Sequence, residues 1–125
     1  MALAVVDASA VASIVFGEPG AEDVTSRLEN FELAAPSLLP YEVANVAAFK
    51  LRRRLLPLQQ VASGLDLFAR FGITLHGADP AALATVAERT GLTAYDAAYL
   101  WLAASLGAEL VTLDRKLEQA WRGER

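Results

Sequence analysis

The sequence contains no cysteine and only one histidine, His76. Without cysteine, disulfide bonds, thiolate catalysis, iron–sulfur clusters and cysteine-based zinc sites are excluded. One histidine supplies too few ring nitrogens for a typical catalytic zinc site, which uses three protein ligands. Any metal site in this chain must therefore be built mainly from oxygen ligands.

Long hydrophobic runs and an excess of positive charge are also missing. The longest stretch without a charged residue is 97–108, well short of the roughly 20 residues that span a bilayer. No basic residue precedes the first apolar run, so a signal peptide is not expected. A cytoplasmic protein without a membrane partner is the expectation. The net charge of −4 argues against a protein that coats nucleic acid, although an enzyme with a local basic patch stays possible.

The chain is nevertheless rich in apolar residues, at 54% of 125, which is enough for one domain with a real core. Short apolar runs alternate with segments of helical periodicity, which predicts an α/β domain with a mostly parallel sheet covered on both faces. The predicted strands are 3–6, 31–35, 73–75 and 109–113. The predicted helices are 8–16, 21–30, 37–54, 58–71, 80–89, 93–106 and 115–121, with Ser37 as the cap of the third.

Four acidic residues lie in apolar surroundings, where a charged side chain is costly unless something pairs with it. Asp7 and Asp114 each end an apolar strand, in LAVVD and ELVTLD. Glu42 and Asp96 lie within apolar helical segments, LLPYEVANVAAF and AYDAAYLWL. Ligands of open parallel sheets bind outside the carboxyl ends of the strands, so the strand-end pair is expected in a functional site.

If these four carboxylates converge, they repel one another. Two unit charges about 5 Å apart cost roughly 3 kcal/mol at an effective dielectric near 20. A hard divalent cation offsets both the repulsion and the burial, and carboxylate oxygens suit Mg²⁺ or Mn²⁺. The residues alone thus indicate a magnesium or manganese site.

Each acid also has a purely structural interpretation, which the sequence leaves open. Asp7 and Asp114 could cap the helices that follow them. Asp96 could complete a capping box with Thr93, and Glu42 could accept a hydrogen bond from a neighbouring helix end. Capping and metal ligation are compatible, because a cap fixes the side chain in place.

Around these acids the chain resembles PIN-domain ribonucleases of the VapC type, the toxin half of bacterial and archaeal toxin–antitoxin pairs. The matching segments are VVDASA at 5–10, residues 36–46 around Glu42, GLTAYDAAY at 91–99 and LVTLDR at 110–115. Their order and spacing extend the resemblance over essentially the whole chain. It implies a single three-layer α/β/α PIN-like nuclease domain over residues 1–125, with a mostly parallel central sheet.

The resemblance also implies a metal-dependent endoribonuclease and a role for individual residues. The catalytic and metal-binding acids are Asp7, Glu42, Asp96 and Asp114, the supporting residues are Thr112, Ser9 and Asn45, and the cofactor is Mg²⁺ or Mn²⁺. Such an ion lowers the pKa of a water molecule and neutralises charge on the scissile phosphate, so no nucleophilic side chain is required.

Two groups of basic residues are candidates for RNA contacts. Arg115 and Lys116 directly follow Asp114 and would flank the acids. Lys50, Arg52 and Arg53 end the predicted Glu42 helix. Cations are favoured at a helix C-terminus by its dipole alone, and a rim that contacts phosphates is the functional alternative.

The partners that the resemblance implies are an RNA substrate, a cognate antitoxin and a second copy of the chain in a homodimer. The same carboxylates could also act on DNA. Two other interpretations compete: a PIN-like protein that binds a partner without catalysis, and a receiver-like phosphoacceptor module. The latter would need paired acids after the first strand and a lysine at a late strand end, whereas Asp7 stands alone and Arg115 follows Asp114.

Overall fold

Residues 2–124 are described by a computed structural model, and they form a four-stranded parallel sheet flanked by seven helices. The strands are β1 (Leu3–Val6), β2 (Glu32–Pro36), β3 (Thr74–His76) and β4 (Glu109–Val111), in the order β3-β2-β1-β4. The helices are α1 (Ala8–Val15), α2 (Ala21–Leu28), α3 (Leu39–Arg52), α4 (Leu58–Ala69), α5 (Pro80–Thr90), α6 (Ala94–Leu106) and α7 (Arg115–Glu124).

Two groups of helices cover the sheet, which confirms the predicted three-layer α/β/α architecture. In one group, α1 packs against α2, α3 and α4; in the other, α6 packs against α5 and α7 and lies on β1, β2 and β4. The central strand β1 is buried from Ala4 to Val6. Helix α6 is buried around most of its circumference, as its almost wholly apolar sequence requires.

Gly64 of α4 allows a close approach to α1. A Cβ atom at this position would lie 2.6 Å from the Val15 carbonyl oxygen and 2.8 Å from the Phe16 ring. The absence of a side chain at Gly64 therefore sets the packing distance between these two helices.

The predicted elements are confirmed, with most of their boundaries shifted by one to three residues, and the differences at β4 and at the C-terminal end of α3 have a physical reason. Strand β4 ends at Val111 rather than at Leu113, because the backbone N–H groups of Leu113 and Asp114 donate to side-chain hydroxyls and not to a neighbouring strand. Helix α3 begins at Leu39, and Leu38 rather than Ser37 is its cap residue. The same helix ends at Arg52 rather than at Arg54, because Arg54 has a positive φ of 53°, which is not helical.

The parallel sheet brings the carboxyl ends of all four strands to one edge, here called the carboxyl edge. Asp7 directly follows β1, and its neighbour β4 leads through Thr112 into Asp114. Helix α3 starts just after β2 and carries Glu42 in its first turn. No helix within residues 2–124 is long and apolar enough to cross a membrane.

Candidate active site

Asp7 is buried at the carboxyl edge, with only 6% of its surface exposed. It is the N-cap of α1, and its Oδ1 accepts the Ala10 backbone N–H at 3.0 Å and the Ser9 hydroxyl at 2.7 Å. Its Oδ2 accepts the Thr112 hydroxyl at 2.5 Å. Three donors, one of them 105 residues away in sequence, therefore hold this carboxylate in one orientation.

Asp114 caps α7 in the same manner. Its Oδ1 accepts the backbone N–H groups of Lys116 at 2.9 Å and Leu117 at 3.1 Å. The capping interpretation of both strand-end acids is thus confirmed. Because each cap leaves the carboxylate at the carboxyl edge, it fixes the acid where ligands of parallel sheets bind.

Ser9 and Thr112 form a pair of hydroxyls that connects the two strand-end acids, and we call it the hydroxyl pair. Thr112 Oγ1 accepts the Asp114 N–H at 2.9 Å, and Ser9 Oγ accepts the Leu113 N–H at 2.9 Å. Since both hydroxyls also donate to Asp7, each one joins that carboxylate to the backbone beside Asp114. The hydroxyl pair therefore sets the position of one acid relative to the other.

The two helix acids, on α3 and α6, are near enough to the strand-end acids to influence their surroundings electrostatically. Glu42 is partly buried, and its Oε1 accepts the Tyr99 hydroxyl at 2.5 Å. Asp96 lies in the first turn of α6, where its N–H donates to the hydroxyl of the cap residue Thr93 at 3.1 Å. Tyr99 follows Asp96 by three residues and shares its helix face, so α6 directs both side chains towards Glu42.

Burial raises the pKa of the Asp7 carboxyl above its ordinary value. Hydrogen bonds from Thr112, Ala10 and Ser9 lower that pKa, and the charge of Asp114 raises it further. Desolvation is the larger influence, so the folded protein carries a cost for holding this group ionised.

Burial also raises the pKa of Glu42 and of Asp96. The charges of Asp96 and Asp7 raise the pKa of Glu42 further, and the charge of Asp114 does the same for Asp96. The Tyr99 phenol has a strongly raised pKa, from burial first and then from Glu42, so it remains a hydrogen-bond donor at neutral pH. These mutual influences connect the four carboxylates in one electrostatic cluster.

The donor set of this cluster fits a hard divalent cation by its chemistry. It offers carboxylate and hydroxyl oxygens, and no lysine or arginine of residues 2–124 forms an ion pair with any of the four acids. An Mg²⁺ or Mn²⁺ ion prefers such ligands and would offset their repulsion. In the described part of the chain, no three Asp, Glu or His side chains lie close enough to bind one ion together.

Asn45 lies three residues after Glu42 on the same face of α3, where it is exposed and its side chain makes no hydrogen bond within residues 2–124. The basic residues predicted at the end of α3 lie away from the acids. Lys50 pairs with Glu18 at 2.5 Å and lies over the Phe16 ring, with its side chain only 12% exposed. Arg52 and Arg53 share this end of α3, roughly 15 Å along the helix from Glu42. The structure therefore does not bring Lys50, Arg52 or Arg53 to the site.

The residues after Asp114 do lie beside the acids. Lys116 Nζ donates to the Gly91 carbonyl oxygen at 3.3 Å, and its charge lowers the pKa of Asp96 against the larger effect of burial. Arg115 is exposed, and none of the ion pairs in residues 2–124 involves it. Positive charge is thus available at one side of the carboxyl edge.

Tyr99 is the site residue that sequence reasoning missed. Its contact with Glu42 joins residues 57 positions apart, and Tyr99 looks like one more apolar core residue in the sequence. The signal that could have identified it is its spacing of three from Asp96, which places a phenol on the helix face that carries the acid.

Comparison with known proteins gives three consistent results. Residues 4–122 match the sequence model of the PIN domain. The chain is similar to a Pyrobaculum aerophilum protein called Ribonuclease VapC3, with 36% identity over 123 residues and 92% of each sequence covered. It is also similar to the crystal structure of PAE2754 from Pyrobaculum aerophilum, with a TM-score of 0.73, 29% identity, and coverage of 98% of this chain and 88% of that one.

Proposed function

Because the chain belongs to the PIN-domain family, we propose that it is a metal-dependent endoribonuclease that hydrolyses RNA phosphodiester bonds. The observation that carries this proposal is the cluster of Asp7, Glu42, Asp96 and Asp114 at the carboxyl edge, with which no Lys or Arg of residues 2–124 forms an ion pair. The similarity to a protein named Ribonuclease VapC3 supports RNA as the substrate.

In this proposal the four acids hold Mg²⁺ or Mn²⁺. When bound, such an ion lowers the pKa of the attacking water and stabilises charge that develops on the phosphate. The hydroxyl pair fixes Asp7 relative to Asp114, and outer groups of this kind orient metal ligands. Tyr99 fixes one oxygen of Glu42 and leaves the other free to accept a hydrogen bond or a metal bond.

No side chain of the cluster is proposed as a covalent nucleophile. Asp7 is enclosed by three donors, and Glu42 is held by Tyr99. These contacts suit carboxylates that orient a reaction rather than attack a phosphorus atom. Asp96 is only partly buried and can meet a water molecule or a substrate.

The proposal extends to the cellular role. We assign the chain as the toxin of a VapBC-type toxin–antitoxin pair, with a cognate antitoxin and a second copy of the chain as its protein partners, acting in the cytoplasm. The resemblance to VapC-type toxins and the similarity to Ribonuclease VapC3 support this role. Co-expression with the protein encoded beside it, followed by light scattering of the purified complex, tests both partners.

The central experiment incubates the purified protein with total cellular RNA in Mg²⁺, in Mn²⁺ and in EDTA. We expect discrete RNA fragments with either metal and none with EDTA. The Asp96→Asn variant should lose cleavage while it keeps its fold. Asp66→Asn is the matched control, because it makes the same change at an exposed acid of α4, outside the site.

Two results would contradict the proposal. One is cleavage that persists in EDTA or in Asp96→Asn. The other is an absence of cleavage together with calorimetry that detects no binding of Mg²⁺ or Mn²⁺. In the second case the four acids serve as caps and hydrogen-bond acceptors, and the protein is a PIN-like interaction module. A parallel reaction with single-stranded DNA tests whether the activity is restricted to RNA.

A further inference from the structure

We propose that a cleft between α2 and α7, here called the arginine cleft, binds backbone phosphates of the RNA strand next to the scissile bond. The cleft has a volume of about 380 Å³. Its lining includes Arg27, Thr112, Asp114, Arg115, Glu118 and Arg122. This inference rests on the proposed function for the identity of its ligand, and it adds a binding site outside the four acids.

The arginine cleft is continuous with the acidic cluster. Thr112, whose hydroxyl donates to Asp7, and Asp114, which caps α7, both belong to its wall. A polymer that presents one phosphate to the acids must continue past them in at least one direction. The arginine cleft begins at the same two residues and offers such a path.

The cleft carries three arginines against two acids, Asp114 and Glu118, so its charge favours an anion. Arg27 and Arg115 are exposed, and neither is in an ion pair or a side-chain hydrogen bond within residues 2–124. Arg122 Nε donates to Glu118 Oε1 at 3.1 Å, so one positive charge is offset. Two guanidinium groups therefore remain available beside the cluster, and guanidinium matches phosphate geometry through paired N–H donors.

The arginines approach the cleft from two walls. Arg27 lies in the last turn of α2, whereas Arg115 and Arg122 are two turns apart on α7, roughly 10 Å along its axis. A spacing of this size allows contact with more than one phosphate. Phosphate contacts position a strand and carry no base information, so the cleft should bind RNA of any sequence.

The second basic region of the molecule lacks these properties. Lys50 is paired with Glu18 and mostly covered, and the end of α3 lies away from the acids. The structure therefore favours the α2–α7 side of the carboxyl edge as the path of the strand.

The test measures RNA binding rather than cleavage, so its outcome is independent of whether the protein is a nuclease. Fluorescence anisotropy of a short labelled single-stranded RNA is recorded against salt, with the full chain carrying Asp96→Asn and with EDTA present. The double variant Arg27→Gln/Arg115→Gln removes the two unpaired guanidinium groups and should raise Kd about tenfold. It should also lower the slope of log K against log salt by about 1.4, since each lost phosphate contact removes about 0.7 on a single strand. Oligouridylate and oligoadenylate should respond equally.

The matched control is Arg70→Gln. Arg70 is an exposed arginine just before β3, the strand at the opposite edge of the sheet from β4. Circular dichroism melts verify that all variants remain folded. The inference is overturned if the double variant binds like its parent, or if Arg70→Gln weakens binding equally, because the effect would then be one of net charge. It is also overturned if a short acidic peptide binds this surface and RNA does not, which would identify a protein-docking surface.

Discussion

The two strand-end acids and the two helix acids are held in different ways. Asp7 and Asp114 receive five hydrogen bonds from backbone and hydroxyl groups, and both cap helices. Glu42 receives one bond, from the phenol of Tyr99, and the hydroxyl of Thr93 is the hydrogen-bond partner of Asp96 in the first turn of α6. The strand-end pair therefore stabilises the fold as well as lining the proposed site, whereas the helix pair has fewer hydrogen bonds that stabilise the fold.

This difference predicts that substitutions in the two pairs of acids have different effects on stability. Acids gathered without counter-charges destabilise the folded chain when no metal is bound, as functional sites commonly do. The capping hydrogen bonds of Asp7 and Asp114 offset part of this destabilisation, and the two helix acids have no such bonds. Substitutions at the strand ends should thus lower both activity and stability, and substitutions on the helices should lower activity with only small changes in stability.

The largest effect is expected for Asp7→Ala. The substitution removes the cap of α1 and leaves the Ser9 and Thr112 hydroxyls without their acceptor, which should cost roughly 2–4 kcal/mol of unfolding free energy. Cleavage should fall by more than about a hundredfold. Urea unfolding and RNA cleavage measure the two effects. Asp7→Asn keeps a capping oxygen, so it should lose activity but recover most of the stability. Equal unfolding midpoints for Asp7→Ala and the parent would contradict the proposed difference between the strand-end and helix acids.

The next effect is expected for Thr112→Val, which breaks the hydroxyl pair. The Asp114 N–H loses its acceptor and Asp7 loses a donor, so about 1–3 kcal/mol of stability should be lost. Metal affinity should fall roughly 10–100-fold, as is usual for groups that orient ligands. Calorimetric titration with Mn²⁺ measures the metal affinity, and Thr112→Ser should restore that affinity. Thr85→Val is the control, because that exposed hydroxyl bonds only the Ala81 carbonyl of its own helix; a similar loss there would contradict a specific role.

A smaller effect is expected for Tyr99→Phe, which keeps the buried ring and removes only the hydroxyl bond to Glu42. Metal affinity should fall about tenfold, while the unfolding free energy should change by about 1 kcal/mol. The same titration and urea unfolding are the measurements. Tyr95→Phe on the same helix is the control, since that side chain is 67% exposed. Unchanged affinity in Tyr99→Phe would show that Glu42 needs no orienting partner.

The smallest effect concerns the pH dependence of stability without metal. Burial raises the pKa of Asp96 above its ordinary value of 3.8, so the folded state binds this proton more tightly than the unfolded state. The ionised group then opposes folding at neutral pH, and the opposition disappears as pH falls through the raised pKa. Asp96→Asn should therefore be slightly more stable than the parent at pH 7, by no more than about 0.5 kcal/mol.

That stability difference should shrink as the pH is lowered towards 3.8. Thermal melts in EDTA across this pH range test whether Asp96→Asn is more stable than the parent at neutral pH and whether the difference shrinks on acidification. Saturating Mg²⁺ should reverse the order, because only the parent keeps the full set of acids and gains stability from the bound ion. A variant that is less stable than the parent in EDTA at neutral pH would contradict the description of Asp96 as a group held for function.

The contrast between the pairs also explains what the sequence could predict. Strand ends, helix caps and acids in apolar runs are local patterns. The sequence could therefore predict Asp7, Asp114 and the order of the helices and strands. The contacts that complete the site are not local: Thr112 meets Asp7 across 105 positions, and Tyr99 meets Glu42 across 57. The ion pair of Lys50 with Glu18 likewise depends on how α1 and α3 pack, and no spacing in the sequence shows it.

The sheet order has a consequence for the timing of synthesis. Strand β1 is made first and β4 last, yet they are neighbours, and the hydroxyl pair joins Ser9 and Thr112 across 103 positions. A nascent chain that has not yet extruded β4 from the ribosome lacks Thr112 and Asp114, so its Asp7 has neither the neighbouring acid nor the second hydroxyl. If the proposed site is the active one, it is therefore incomplete during translation until Thr112 and Asp114 have emerged from the ribosome.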